Sequence, residues 1–326
     1  MAQWECSGKS EALRLLYTAG QISRRFYQTY NFFVLPQLTG AADYAAAVFP
    51  CLNYRSIGKF WRRVKTIKTD RLPPEASPDL LGQTLKLYQQ AGLALPEYGK
   101  IKKLWAGAET AILAGINRLI PPPPGGLVKS ITVWPTRFGT TCSFNRPEKF
   151  PADICIYLRA DCGIWQMAEA VLSALVRQTL QTRLGASWEE TELVADWLAQ
   201  ESFLKNILAK YGGRYYPTLK LIRNRQNGRT FSQSQAYLEK LGLLAKSGAV
   251  ENPPGLTEKE NGILNCLKRQ RGQTVSFEAL GEIVCPENYS LFCIAKTIER
   301  LRRKLEAAGI AGTTIQTVRG KGYLLG

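Results

Sequence analysis

The C-terminal segment of this chain, from Leu256 to Gly326, has a hydrophobic pattern that few folds satisfy. It contains three stretches with apolar residues at helical spacing, followed by two short β-prone runs on either side of a Gly-Lys-Gly turn. Thr257 and Glu260 have the spacing of a capping box, which predicts that the first helix begins there. Three helices followed by a hairpin are the order of a winged helix-turn-helix.

The third of these helices combines an apolar stripe with a basic remainder. The stripe consists of Ile294, Ile298, Leu301 and Leu305, which lie at helical spacing. We expect Thr297, Arg300 and Arg302 to point away from it and to contact DNA in the major groove. An arginine there can bond guanine through two acceptors.

The turn between the two β-prone runs is narrow and positively charged. We expect Arg319 to contact the minor groove or a phosphate, because such a turn fits a narrow and electronegative groove. Phosphate contacts position a protein on DNA without specifying the sequence. We predict such contacts for Lys296, Arg303, Thr317, Lys321 and Tyr323.

These residues resemble the winged helix-turn-helix of the OmpR/PhoB-type transcriptional regulators. Four segments carry the resemblance, namely Leu256–Glu260, Val275–Leu280, Ile298–Leu305 and Thr317–Tyr323. They are similar to the family's LTxxE, VSREEL, IxRLRxKL and TVRGxGY motifs. The resemblance implies that double-stranded DNA is the partner and that the segment regulates transcription.

Two departures from the family pattern concern the third helix. Phe292 and Cys293 stand where the family usually has an Arg-Thr pair that contacts phosphate. Glu299 stands where a basic or neutral polar residue is common. The base preference of the family is therefore not transferred to this chain.

The composition favours a polyanionic partner and excludes several kinds of active site. The formal net charge is +17, which points most simply to nucleic acid. The chain has no histidine, and this excludes histidine-dependent triads, histidine-ligated zinc sites and histidine phosphotransfer. We therefore expect no catalytic residues, no metal and no cofactor, so that the protein is not an enzyme.

The cysteine pattern and the lack of long apolar runs predict a cytoplasmic protein. The eight cysteines include no CxxC pair, and the N-terminal residues lack the basic start and apolar run of a secretory signal. We accordingly expect a reducing environment and no membrane partner. Redox sensing by one of the cysteines is a weaker alternative to a purely structural role.

The sequence divides into four parts and predicts a mixed α and α+β fold that is mainly helical. We expect a helical region over residues 1–120, a Pro/Gly-rich break, and a small α+β domain over 125–245. A linker follows at 246–255, and the winged helix occupies 256–326.

The α+β part weakly resembles zinc peptidases of the HExxH type, the zincins. Its strands, long helix and second helix occur in the same order, and Glu192–Asp196 is similar to the later metal-binding motif of that family. The segment that would match the first motif is Ser173–Arg177, which lacks both histidines and the catalytic glutamate. The resemblance implies an inactive scaffold, a pseudoenzyme. The alternative is an ordinary helix pair with an exposed Glu and Asp.

These observations together predict a DNA-binding transcriptional regulator. Its N-terminal part would sense, dimerise or dock, with RNA polymerase or a second copy of the chain as further partners. We expect no phosphoacceptor receiver domain, because helices come first and only a small sheet follows. The alternative is an architectural protein that binds DNA without sequence preference, or a protein-interaction scaffold. A third and less favoured hypothesis is that the N-terminal part is an enzyme.

Overall fold

The computed structural model describes residues 2–30, 32–38, 45–120, 128–147, 152–212, 228–244, 255–287, 290–307 and 315–325. Over these residues the fold is mixed α and α+β and mainly helical, as the sequence predicts. No helix in the described ranges is long and apolar enough to cross a bilayer.

The described elements follow one another in this order along the chain. The helices are α1 (Gly8–Ser23), α2 (Phe26–Thr29), α3 (Phe60–Lys65), α4 (Pro78–Gln90), α5 (Gly99–Leu119), α6 (Ile164–Arg177), α7 (Trp188–Ala199), α8 (Ser202–Lys210), α9 (Gly228–Lys240), α10 (Glu258–Arg269), α11 (Phe277–Val284) and α12 (Leu291–Ala307). The strands are β1 (Gln3–Trp4), β2 (Phe33–Leu35), β3 (Ala46–Val48), β4 (Ser130–Thr136), β5 (Cys142–Asn145), β6 (Asp153–Arg159), β7 (Thr274–Ser276), β8 (Ile315–Val318) and β9 (Gly322–Leu325). A 3₁₀ turn covers Tyr54–Ser56, and a π-helical turn covers Gln178–Arg183.

The chain forms two compact units. The N-terminal unit comprises Met1–Arg24 and Leu35–Gln226, and the C-terminal unit comprises Arg25–Val34 and Asn227–Gly326. The predicted boundary near residue 120 therefore does not separate two units. The Pro/Gly-rich break falls mostly in 121–127, outside the described residues, as does the predicted linker 246–255 apart from Gly255.

A mixed sheet organises the N-terminal unit. Its strand order is β1-β4-β6-β5, in which β1, β4 and β6 are parallel and β5 is antiparallel to β6. Helices α5 and α6 share one apolar core with this sheet, as the burial of Trp105, Ile156 and Trp165 shows. The helical region and the α+β region are one unit because the apolar face of α5 needs the sheet to leave water.

The C-terminal unit contains the winged helix that the sequence predicts. Helices α10, α11 and α12 precede the β8–β9 hairpin, and β7 pairs with β9 to complete a sheet of order β7-β9-β8. Thr257 and Glu260 form the predicted capping box at the start of α10. The apolar stripe of α12 is buried in the core, at Ile294, Ile298, Leu301 and Leu305.

A segment from near the N-terminus belongs to the C-terminal unit, and the sequence did not predict it. The amide of Val34 donates to Ser234 Oγ at 2.8 Å. Thr274 Oγ1 donates to the carbonyl of Thr29 at 3.3 Å. Arg25–Val34 is therefore attached both to α9 and to the first strand of the winged helix.

Candidate nucleic-acid interface

Helix α12 is fixed to α10 by a charged contact as well as by its apolar face. The Lys304 ammonium lies 2.7 Å from Glu260 Oε2 and donates to the carbonyl of Gly255 at 2.8 Å. The backbone amide of Thr257 also donates to Glu260, at 2.8 Å. Burial alone would raise the pKa of Glu260, but these hydrogen bonds from Lys304 and Thr257 outweigh it and lower that pKa. The start of α10 and the end of α12 are thus held together.

Three of the predicted contact residues lie on the exposed face of α12. Lys296, Arg300 and Arg303 are all exposed. Arg303 forms an ion pair with Glu299, one turn away on the helix. The Lys296 ammonium lies 5.3 Å from the ring centroid of Phe292, which is itself 69% exposed. This face can offer three cations to an anionic partner, one of them already opposed by an acid.

Thr297 is placed differently from the sequence expectation. Its side chain is buried, and Oγ1 donates to the carbonyl of Cys293 at 2.8 Å. The reason is helical spacing, because position 297 lies three residues after Ile294 and four before Leu301. The same 3.6-residue period that predicts the apolar stripe therefore places Thr297 within it. Its side chain faces the core of the winged helix and is not exposed for contact with DNA.

Arg302 is also placed differently, because it connects α12 to the hairpin. Its Nε donates to the carbonyl of Ile315 at 2.9 Å, and its Nη2 donates to Thr317 Oγ1 at 3.0 Å. Its guanidinium carbon lies 5.7 Å from the ring centroid of Tyr323. The predicted groove contact of Arg302 and phosphate contact of Thr317 are thus partners of each other. The Arg302 guanidinium thus sets the position of the β8–β9 hairpin, which we call the wing, relative to α12.

The wing presents Arg319 to solvent and depends on a glycine at its base. Arg319 is exposed and is followed by Gly320, which has a φ of +72°. Gly322 has a φ of +151°, and a Cβ at this position would lie 1.8 Å from the carbonyl oxygen of Val275. Only glycine fits there, because β9 must approach the backbone of β7 closely.

The other two predicted wing residues are partly or wholly covered. The Lys321 ammonium lies 3.5 Å from the ring centroid of Tyr30, in the segment Arg25–Val34. Tyr323 is buried, and its ring meets Phe277 edge-on at a centroid distance of 5.7 Å. The ring of Tyr323 belongs to the core of the winged helix. Tyr30 is a functional candidate that sequence reasoning missed, since the aromatic richness of its segment is the sole local signal.

A second cluster lies in the N-terminal unit, where α6 packs on α7. Ser173 Oγ donates to Glu192 Oε2 at 3.2 Å, and Arg177 Nη2 lies 3.6 Å from Glu192 Oε1. The structure thus brings together the residues at the three positions that the zincin resemblance singles out. Burial, and then the nearby Glu192 and Asp196, raise the pKa of Glu169 well above its usual range. In the described part of the chain no group of three or more His, Cys, Asp and Glu is placed to hold a metal ion.

Comparison with known proteins shows what the C-terminal segment is similar to. Residues 251–325 match a family model described as "Transcriptional regulatory protein, C terminal", the DNA-binding domain of OmpR/PhoB type. The two-component response regulator PhoP of Pseudomonas aeruginosa is 39% identical over 109 residues. That alignment covers 32% of this chain and 48% of PhoP, so the chain spans about half the length of this relative. No solved structure matches the chain. The comparisons do not support the zincin resemblance.

Proposed function

We propose that this protein is a DNA-binding transcriptional regulator that reads duplex DNA with α12 and the β8–β9 wing. The observation that carries the proposal is the asymmetry of α12. One face is buried and tied to the hairpin by Arg302, while Lys296, Arg300 and Arg303 stand free of the core on the other. A rigidly mounted helix with an exposed basic face has the form that major-groove reading requires.

Within this proposal the exposed cations have separate roles. Arg300 contacts a base edge, since its guanidinium can reach two acceptors of a guanine. Lys296, Arg303 and Arg319 contact phosphates and position the domain. Lys321 joins them only when it leaves the ring of Tyr30, so its contribution to affinity is reduced by the cost of that exchange.

Residues 1–245 have a different role in this proposal. They sense a signal, dimerise, or dock RNA polymerase, and they neither catalyse a reaction nor accept a phosphoryl group. The antiparallel β5 at one edge of a four-stranded sheet supports this, because a receiver needs alternating strands and helices around a parallel sheet. Stable aspartyl phosphate on 1–245 after treatment with a small phosphodonor would contradict it.

The function is tested by selection from a random duplex library, with the full-length protein at physiological salt. We expect one enriched motif. Arg300→Ala should lose the preference at one position of this motif, because the proposed base contact is removed, at a cost of about 1–3 kcal/mol. Arg269→Ala is the matched control. It removes the same exposed charge from the end of α10, and should leave the motif unchanged.

The salt dependence of binding separates the phosphate contacts from the base contact. Arg319→Ala should weaken binding similarly on all duplexes and reduce the slope of log K against log salt by about one. A change of motif with an unaltered slope would contradict the assignment of Arg319 to phosphate.

An architectural or protein-binding role is the alternative, and the first turns of α12 favour it. Phe292 is largely exposed where DNA readers of this type place a cation, and Glu299 opposes the charge of Arg303. Capture of duplexes without a motif, lost steeply with added salt, would indicate an architectural protein. Absence of capture would indicate a protein partner for this surface.

An inactive zincin-like scaffold remains a proposal for the α6–α7 pair. Its support is the convergence of Ser173, Arg177 and Glu192, with a guanidinium in place of a metal ion. A zinc site designed by Ser173→His and Arg177→His tests that geometry.

A further inference from the structure

Helix α12 carries a large apolar side chain on its exposed surface. Phe292 lies in the first turn of the helix and is 69% exposed, and its neighbour Leu291 is 52% exposed. An aromatic ring gains free energy when a partner removes it from water. Phe292 is therefore a candidate contact residue on the helix that is proposed to enter the major groove.

The position of Phe292 along and around α12 places it towards the groove. Because an α-helix has 3.6 residues per turn, Lys296, Glu299 and Arg303 lie on the same face as Phe292. This face is opposite the buried apolar stripe of α12. In helix-turn-helix proteins the N-terminal residues of the recognition helix contact base edges. Phe292 thus lies in the turn and on the face where a base contact is expected.

Cations accompany the ring. The Lys296 ammonium lies 5.3 Å from the ring centroid of Phe292, and Arg300 is exposed one turn after Lys296. The phosphates of a duplex attract both charges. The attraction that brings these cations to DNA also brings the ring of Phe292 to the bases. This charge complementarity favours a duplex over an uncharged partner for the surface around Phe292.

The base edges in the major groove offer a phenyl ring one apolar group, the C5 methyl group of thymine. The other groups that distinguish the bases there are hydrogen-bond donors and acceptors. We propose that Phe292 reads thymine by packing its ring against this methyl group, so that the bound duplex has a thymine at a fixed position. This contact rests on the proposed function and names part of its DNA target.

The spacing along α12 locates this thymine relative to the guanine proposed for Arg300. In zinc fingers, residues about three positions apart on the recognition helix contact successive base pairs. Phe292 and Arg300 are eight positions apart. The thymine should therefore lie about two to three base pairs from the position whose preference is lost in Arg300→Ala.

Deoxyuridine tests the contact with the unaltered protein. It differs from thymidine by the methyl group alone and keeps the same hydrogen-bonding groups. Fluorescence anisotropy compares the duplex selected from the random library with the same duplex carrying deoxyuridine at that position. The full-length protein should bind the deoxyuridine duplex about fourfold more weakly, which is the contribution of one covered methyl-sized group. Equal affinity for the two duplexes would overturn the thymine contact and leave the proposed function standing, since a motif is still selected.

Two variants separate Phe292 from its neighbour. Phe292→Ala should bind the two duplexes equally, because the ring that contacts the methyl group is removed. Leu291→Ala is the matched control: it removes an exposed apolar side chain from the same turn and should keep the fourfold difference. A fourfold difference that persists in Phe292→Ala would overturn the proposal. Selection of no motif by the unaltered protein would instead refute sequence-specific reading itself, and the thymine contact with it.

Discussion

Loss of the Lys304 ammonium should loosen the whole winged helix, because it leaves a buried carboxylate short of one partner. The Glu260 side chain is 1% exposed and accepts hydrogen bonds from Lys304 and Thr257. A hydrogen bond to a charged group contributes about 1.5–3 kcal/mol. Lys304 is 37% exposed, so solvent screening places the loss in Lys304→Met near the lower end, at about 1.5–2 kcal/mol.

Hydrogen exchange of the full-length chain, followed by mass spectrometry, measures this loss locally. Peptides from α10 report the opening of the unit to which that helix belongs. A loss of about 1.5–2 kcal/mol corresponds to roughly 10- to 30-fold faster exchange. Lys296→Met is the matched control, because it makes the same change at an exposed position of α12. Equal acceleration in the two variants, or none in Lys304→Met, would refute the reasoning.

The same contact predicts how the unit responds to acid. The folded pKa of Glu260 lies below its ordinary value, so the stabilisation is fully present above the unfolded pKa, about 4.3. It is lost as pH falls through the lower folded pKa. The protection of α10 against exchange, taken relative to the intrinsic exchange rate at each pH, should therefore fall below about pH 4 in the native protein, and should fall less in Glu260→Gln, which has no charge to lose.

Two further substitutions test the wing and the α6–α7 pair. Gly322→Ala should unfold the winged helix, at a cost of at least about 3 kcal/mol, because the new methyl group overlaps the carbonyl of Val275 in β7. Gly320→Ala places its methyl group in open space and should cost about 1–2 kcal/mol, because of its positive φ alone. Similar hydrogen-exchange rates in the two variants would contradict the close approach of β9 to β7. The double variant Ser173→His/Arg177→His should retain zinc after desalting, since two histidines one turn apart would join Glu192, and zinc content no higher than that of the unaltered protein would show that the three positions do not converge.

Local signals predicted the winged helix well. The capping box at Thr257 and Glu260 and the buried stripe of α12 are both confirmed, since each depends on residues within a few positions of one another. The two differences in the site have different causes. The burial of Thr297 follows from helical spacing, because the residue lies three positions after Ile294 and four before Leu301. The use of Arg302 to hold β8 depends on where a strand thirteen residues later returns, which periodicity does not encode.

Contacts between residues far apart in the sequence limited the prediction of the N-terminal unit and of the Tyr30 contact. The parallel pairing of β1 with β4 joins Gln3 to Thr132, which are 129 positions apart. The shared core of α5 and the sheet brings Trp105 together with Ile156, which are 51 positions apart. The contact between Tyr30 and Lys321 is of the same kind. Composition and periodicity describe each segment by itself, so they identify elements but not the partners against which those elements pack.

The C-terminal unit is built from two segments that are far apart in the sequence, so the ribosome synthesises them at different times. The hydrogen bond between Val34 and Ser234 joins residues 200 positions apart. At about 5–20 residues per second, the ribosome needs roughly 10–40 seconds to travel from one to the other. Throughout that interval the aromatic-rich Arg25–Val34 lacks the surface that it covers in the finished protein. A shortened polypeptide that starts after Val34 would keep α10, α11 and α12 of the winged helix. It would lack Tyr30, whose ring contacts Lys321 of the wing.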